Sequence, residues 1–457
     1  MPLEAKPITM HLLITGGCGF VGSRIATWFL ANEPLSSGPL SSGPLSSEPV
    51  PRSHPDRRAP ASSGDGSSGS LTPGLKIQGL KNPGLKITLV DNLMRPGSQT
   101  NRAPLECLGA EVILGDLRQR DFVESLPACD WVIDCAANPS VLAGLGSAAL
   151  DAPANIPSQA NQSPSQNLVD HNLGGTIHLL EYCKRHRAGM VLVSSSRVYS
   201  IRELSRIPHQ IKNSVLQFDW DRIESENLIP GLSRQGIDER FSIEPPLSLY
   251  GATKLASEWL AKEYSNAFDF PLWINRCGIL AGSGQFGKAD QGIITYWMHR
   301  FLYRHPLRML GFQGSGAQVR DCLHPDDLAR LVQLQIGESI GESQGRQTQQ
   351  PLQNQPSLRS KPITVNVSGG IESAFSLQEL HEWCARRWGS ERFGAVSELQ
   401  RIDQPRPYDA PWIVLDSNKA RQTWNWEPLR DRLSIWEEIA EHAEENPNWL
   451  QISGGID

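Results

Sequence analysis

The stretch HLLITGGCGFVGSRIATWFL, residues 11–30, constrains the chain more than any other. An apolar run over 11–17 meets Gly16, Gly19 and Gly22, and a helix is expected from about Val21 to Leu30. Glycines at this spacing allow a tight turn, let backbone approach a pyrophosphate, and let helix pack on strand. The helix N-terminus then offers free N–H groups and a partial positive charge to an anion. Glycine-rich turns also occur without ligands, so the strand–turn–helix setting is what favours nucleotide binding here, with Phe20 and Val21 inside the turn.

The rest of the ordered chain alternates. Apolar strands are expected at 86–92, 111–116, 131–137, 190–196 and 271–277, with helices at 172–186 and from Tyr250 onward. On that helix Leu255, Trp259, Leu260 and Tyr264 form the expected buried stripe, with Lys262 and Glu263 in water. Near-continuous apolar strands separated by helices imply a parallel sheet covered on both faces. The fold class is therefore α/β, a Rossmann-type doubly wound parallel sheet with a smaller mixed α/β C-terminal lobe for substrate. Residues 10–200 would form the cofactor domain, 201–249 a segment of the small lobe, 250–277 a continuation of the large domain, and 278–457 mainly the small lobe.

Three polar stretches interrupt this pattern. Residues 33–84 carry a Pro-Leu-Ser-Ser repeat, and 151–166 and 338–362 have a similar composition. Such segments bury too little apolar surface to offset their ordering entropy and read as disordered surface insertions.

An acid that grips the adenosine ribose is expected about 20 residues after the glycines. The first polar stretch occupies that interval, and the acid appears instead as Asp91, followed by Asn92, at the end of ITLVDN. A carboxylate there accepts the ribose hydroxyls and repels a 2′-phosphate, favouring NAD over NADP. The plain alternative is an acid that ends a strand, and nearby Arg95 keeps NADP open. Asp116, with Leu117 after the third strand, is a candidate adenine contact.

The formal charge of −6 and the lack of a basic stripe argue against a nucleic-acid polymer as partner. No run approaches the ~18 apolar residues of a membrane span. The eight cysteines show no metal-binding spacing, so no metal is expected, and a cytoplasmic location fits their use as buried thiols.

LYGATKLASEWLAKEY, residues 249–264, opens a helix with Tyr250 and Lys254 at i, i+4, on one face. A phenol ordinarily ionises near pH 10, too high for a base at neutrality, and a neighbouring ammonium favours the phenolate (roughly the logic of paired acid–base groups). The alternative is that the ring packs and the lysine snorkels. Ser195, in SSSRVY at the end of the fifth strand, could bind the same substrate oxygen as Tyr250, or simply form the turn.

Taken together, TGGCGFVGS, the DN at 91–92, GD at 115–116, CAA at 135–137, NLGGT at 172–176, SSSRVY, YGATK and RDCLHPDDLARL closely resemble the extended short-chain dehydrogenase/reductase family, the NAD-dependent nucleotide-sugar epimerases and dehydratases. The resemblance implies Tyr250 as general acid/base, Lys254 on the nicotinamide ribose and Ser195 orienting the reacting hydroxyl. It implies cofactor contacts at Ala136, Ala137 and Asn172, the last at a position that also supports this active-site region. Dehydratases of the family follow the catalytic Thr with an Asp–Glu pair; here Ser196 and Arg197 stand there, which disfavours elimination of water. DNLMRPGSQTN, GIDERF, GQFGKADQG and GSGAQVRDCLH match one epimerase branch and imply that Gln285, Gln291, Arg320 and Ser196 line the sugar nucleotide. An Arg320–Asp321 ion pair is the alternative for that arginine. Family resemblance further implies retained NAD, a nucleoside-diphosphate sugar as substrate, and a homodimer or homotetramer built on the helices near Asn172 and Tyr250. Ser200, where the family has Gly, and the poorly matching 201–231 leave the sugar open, with C4 epimerisation or net oxidoreduction as alternatives.

Overall fold

The computed structural model describes residues 10–32, 84–148, 163–213, 215–226, 228–347, 362–389, 398–404 and 406–455. The expected insertion at 33–84 lies outside these residues except for its last position, and so do 151–162 and 348–361 of the other two polar stretches.

Seven strands, Met10–Thr15 (β1), Leu85–Asp91 (β2), Glu111–Leu114 (β3), Trp131–Asp134 (β4), Gly189–Ser195 (β5), Leu272–Cys277 (β6) and Ile363–Val367 (β7), form one parallel sheet. Their order is β7-β6-β5-β4-β1-β2-β3. Successive side chains of a strand point to opposite faces. Leu12 and Ile14 accordingly enter one core, with Ile25 of helix Phe20–Ala31 (α1) and Leu328, Val332 and Ile336 of helix Pro325–Gln347 (α4). Leu13 enters the other, with Leu179 and Cys183 of helix Gly175–His186 (α2) and Ala261 of helix Leu249–Phe268 (α3). The doubly wound sheet expected from the alternation is present.

The register aligns the carboxyl ends of the strands. Thr15 pairs with Val90 and Asp134, and Ser195 with Cys277, so the turns after β1, β2, β4, β5 and β6 emerge on one edge. The strand order reverses between β1 and β4, and at such a switch point a crevice opens.

The smaller lobe is built on Ile279–Leu280, Val319–Leu323, Ala374–Ser376 and Trp412–Ile413, a mixed sheet with Val319–Leu323 at its centre. Trp297, Phe301, Leu380, Trp436 and Ile439 form its main core. A second cluster, with Tyr199, Phe241, Trp412 and Val414, packs the segment after β5 beneath it. Arg24 of α1 pairs with Asp326 of α4 at 3.1 Å and reaches across the lobes to Glu438 of helix Arg432–Glu445 at 3.8 Å, and Glu438 also accepts from buried His324 at 3.1 Å.

Four local expectations change. Residues 278–457 are less a single lobe than expected: α4, β7 and helix Asn418–Trp424 return to the large sheet, with Ala420 and Trp426 in its core. The second polar stretch ends earlier than its composition suggests, because Ser163 caps a helix Pro164–Val169, accepting from the Gln166 N–H at 3.3 Å with Pro at the first position. Likewise α4 continues to Gln347, into the third polar stretch. Trp259 is 55% exposed rather than buried. Apolar spacing misplaces α3 because its inner face carries Gly251, Ser257, Ala261 and Ser265, small residues that let the helix lie close on its neighbours.

Candidate active site

The cofactor half of the site is a turn with no room for a side chain at its key glycines. Gly16 has φ +60°, and a Cβ on Gly22 would lie 2.3 Å from the Gly16 carbonyl oxygen. Gly19 caps α1 in extended conformation, leaving the first N–H groups of the helix facing the crevice. Behind the turn Thr15 donates to Asp134 at 2.7 Å, tying β1 to β4. This is the cradle that a pyrophosphate requires, so the residues present fit a dinucleotide.

Asp91 closes β2 beneath the turn. Its carboxylate accepts from the Cys18 N–H at 2.9 Å and the Leu93 N–H at 2.8 Å, which shapes both loops. Burial pushes its pKa up while those backbone bonds oppose the rise. The carboxylate therefore holds the glycine turn and also lines the cavity. Asp116 is more committed than expected. It forms an ion pair with Arg118 at 2.7 Å and accepts from Asn92 at 3.2 Å; against its desolvation, these partners hold it down to about 2. Arg95 turns away from the ribose acid, donating to Gln291 and, at 2.9 Å, to the Phe286 carbonyl.

The catalytic half lies where α3 meets β5. Ser248 caps α3, accepting from the Gly251 N–H at 3.0 Å, and so fixes the first turn that carries Tyr250. Tyr250 is 8% exposed and Lys254 4% exposed. The lysine donates to the Val193 carbonyl at 3.0 Å, which anchors the ammonium beside the end of β5. Two residues on, the Ser195 hydroxyl accepts from the Arg197 N–H at 3.1 Å. Under these groups Glu258 pairs with Arg276 at 2.7 Å and accepts from Ser194 at 2.6 Å, all three deeply buried.

One cavity of about 580 Å³ runs from cradle to catalytic turn. It is lined by Gly16, Gly19, Phe20, Val21, Gly22, Asp91, Asn92, Asp116, Leu117, Ala136, Ala137, Ser195, Ser196, Tyr250, Lys254, Gln285, Gln291 and Arg320, so the structure gathers these sequence candidates around a single space. Asn172 is the exception and a correction: it does not line the cavity. Only 1% exposed, it accepts from the Asn138 N–H at 2.8 Å and donates to Thr253 at 3.2 Å, bracing the loop after β4 against α3 from behind.

At the far end Arg320 pairs with Asp409 at 2.8 Å, not with Asp321. Asp321 faces inward, accepting from the Leu415 N–H at 2.8 Å, and burial pushes it up to about 6. Gln285 is braced by Thr295 at 3.1 Å and donates to the Leu280 carbonyl. Residues 284–292 thus form a strap over the crevice: Arg95 holds Gln291 and Phe286 from the loop after β2, and Ser140 holds Asp290 from the loop after β4. Arg197, which the sequence marked only as departing from the dehydratase carboxylate pair, and Arg406 and Asp409, in a segment with a family-like Arg and Asp interrupted by Pro407, also line the cavity.

Among the described residues no helix is long and apolar enough to cross a membrane, and no group of three His, Cys, Asp or Glu could hold a metal ion.

The chain resembles known proteins in sequence and in fold. The chain is 24% identical over 433 residues to CDP-paratose 2-epimerase from Salmonella typhi, covering 92% of this chain and 95% of that protein. It is 23% identical over 266 residues to UDP-glucuronate 4-epimerase from Thermodesulfobacterium geofontis, covering 57% and 61% of the two chains. Its fold is similar to that of a dTDP-glucose 4,6-dehydratase double mutant from Streptomyces venezuelae solved with NAD bound, with TM-score 0.63, 18% identity, and 97% and 100% of the chains covered. Residues 77–341 match the NAD dependent epimerase/dehydratase family; the glycine turn lies ahead of that match, and the sheet register joins it to the rest. The chain belongs to the NAD-dependent epimerase/dehydratase family and is an enzyme that uses NAD.

Proposed function

We propose that the protein is a nucleotide-sugar epimerase with retained NAD, acting at C2 of the sugar in the manner named for the CDP-paratose 2-epimerase it resembles. The observation that carries this reading is the convergence of Tyr250, Lys254 and Ser195 on the cavity that also contains the glycine cradle. Ser196 and Arg197 supply no carboxylate pair beside them, which disfavours dehydration.

NAD held by this cavity would supply a hydride acceptor and donor for a sugar carbon. Its pyrophosphate would rest on Gly16, Gly19 and Gly22, its adenosine ribose near Asp91, and its nicotinamide ribose near Lys254. Tyr250 takes the proton of the reacting hydroxyl as that carbon is oxidised and gives it back on reduction. Ser195 holds the same oxygen. The Lys254 ammonium stabilises the phenolate that Tyr250 becomes when it serves as base. Arg320 suits a diphosphate, because its planar fork of donors matches phosphoryl oxygens, and the diphosphate keeps the sugar tethered while the ring turns over. C2 of an intact glycoside is not next to a carbonyl, so direct deprotonation would give no stabilised carbanion.

The C4 alternative has support in the likeness to UDP-glucuronate 4-epimerase. Mass spectrometry of the purified protein should find retained NAD, and a panel of CDP-, UDP- and dTDP-sugars should identify the epimerised carbon. Deuterium placed at that carbon should stay there in the product. Its exchange with solvent would rule out hydride return, and conversion of free NAD in step with substrate would make the protein a net oxidoreductase.

A further inference from the structure

Arg197 stands two residues after Ser195, and its carbonyl packs against α3 so closely that a Cβ on Gly251 would lie 2.1 Å from the oxygen. Its backbone is therefore fixed beside the residue that follows Tyr250. The side chain lines the cavity, as do Arg320, Arg406 and Asp409. These four groups meet at one end of the crevice, where three guanidiniums face a single carboxylate. Asp409 is already engaged by Arg320 at 2.8 Å. The only hydrogen bond the Arg197 side chain makes among the described residues is a long one, 3.4 Å, to the Tyr408 carbonyl. Tyr408 has φ +59°, in the left-handed region, and this bend turns its segment toward the crevice.

Burial lowers the pKa of Arg197 to about 10, and the neighbouring cations Arg320 and Arg406 act in the same direction. It remains a cation at neutral pH. A withdrawn cation without a paired anion is costly to keep, and such a group is retained where a ligand completes it.

We propose that Arg197 is a specificity-determining residue that receives an anionic oxygen on the sugar side of the substrate, next to the hydroxyl held by Tyr250 and Ser195. This rests on the nucleotide-sugar reading and deepens it. Two sources supply such an oxygen: the phosphoryl group that bears the sugar, or a carboxylate on the sugar ring. Arg320 and Arg406, at the same end of the crevice, remain for the other phosphoryl charge.

The test is calorimetric titration of the NAD-loaded protein with CDP, UDP, their hexoses and their hexuronates, using wild type, Arg197→Met, Arg197→Gln and Arg197→Lys. Retained NAD and an unchanged unfolding midpoint establish which variants are folded. Charge-assisted bonds of this kind carry about ten- to hundredfold in affinity, so Arg197→Met and Arg197→Gln should weaken binding by that order and Arg197→Lys by less. An equal loss for nucleoside diphosphates and for their sugars identifies the phosphoryl oxygen. A loss confined to hexuronates identifies the ring carboxylate. Wild type that binds these ligands while the folded variants bind them equally well overturns the assignment alone. Wild type that binds none of them overturns the nucleotide-sugar reading and the assignment with it.

Discussion

Glu258→Gln tests how the catalytic turn is supported. The carboxylate has no exposed surface, and Arg276 is 3% exposed. The guanidinium gives Glu258 three contacts of 2.7 to 3.1 Å, while Ser194 donates to the same carboxylate at 2.6 Å. The Arg276 guanidinium also donates to the Tyr199 hydroxyl at 3.4 Å and lies 5.2 Å from the centre of that ring. The amide keeps the volume and removes the charge, so Arg276 is left as an uncompensated buried cation. Breaking a buried pair in this way costs about 3–5 kcal/mol. Urea unfolding of the NAD-loaded protein reads this directly as a lower midpoint at unchanged slope. The double variant Glu258→Gln, Arg276→Met removes the stranded charge and should recover much of the loss, a non-additivity expected of groups in contact. Because Glu258 lies one turn beyond Lys254 and bonds to the serine preceding Ser195, the single variant should also lower kcat. A loss below about 1 kcal/mol, the value of an exposed pair, would refute the reasoning.

Tyr250→Phe keeps the ring but removes the proton carrier, so kcat should fall by about 10²–10⁴-fold while NAD stays bound; normal turnover would make the phenol mere packing. Asp321 has its pKa raised to about 6 by burial, above its ordinary value, so its contribution to stability is complete below the unfolded value and is lost as pH rises through about 6. Asp321→Asn should remove this pH dependence, and unfolding midpoints of both proteins from pH 4 to 8 check it; parallel profiles would contradict it. Exposed Trp259 and Phe268 on α3 should be covered in a homodimer. Trp259→Asp should then shift sedimentation toward monomer, and a wild type that is monomeric at the same concentration would count against the interface.

Much of the nucleotide half was legible because backbone geometry demands particular residues. Gly16 at φ +60° and Gly22 against a carbonyl leave a clear trace, and Tyr250 with Lys254 follows from helical spacing. Strand β7 left less trace: it is five residues long, follows a polar stretch, and buries Asn366, which is satisfied by Tyr199 at 2.6 Å and by the Ile237 carbonyl at 2.7 Å. Trp259 was misplaced because periodicity counts apolar residues without sensing how close the neighbouring helix lies. The arginine end was legible in part, through Arg320 and the family-like Arg and Asp near Pro407, but its grouping was not. Arg197, Arg406 and Asp409 come from turns far apart in sequence, and only the folded register of the small lobe brings them to one cavity.

The interleaving of the two lobes sets limits on how this protein can change. The chain leaves the parallel sheet after β5, returns for α3 and β6, leaves again, and returns for α4, β7 and the helix Asn418–Trp424. No single cut through the backbone separates a cofactor half from a substrate half, so neither half is an exchangeable cassette. New substrate preference must come from side chains and turns at the crevice, one position at a time. The same threading makes the melting of either lobe strip core partners from the other, so a calorimetric trace should show one shared transition.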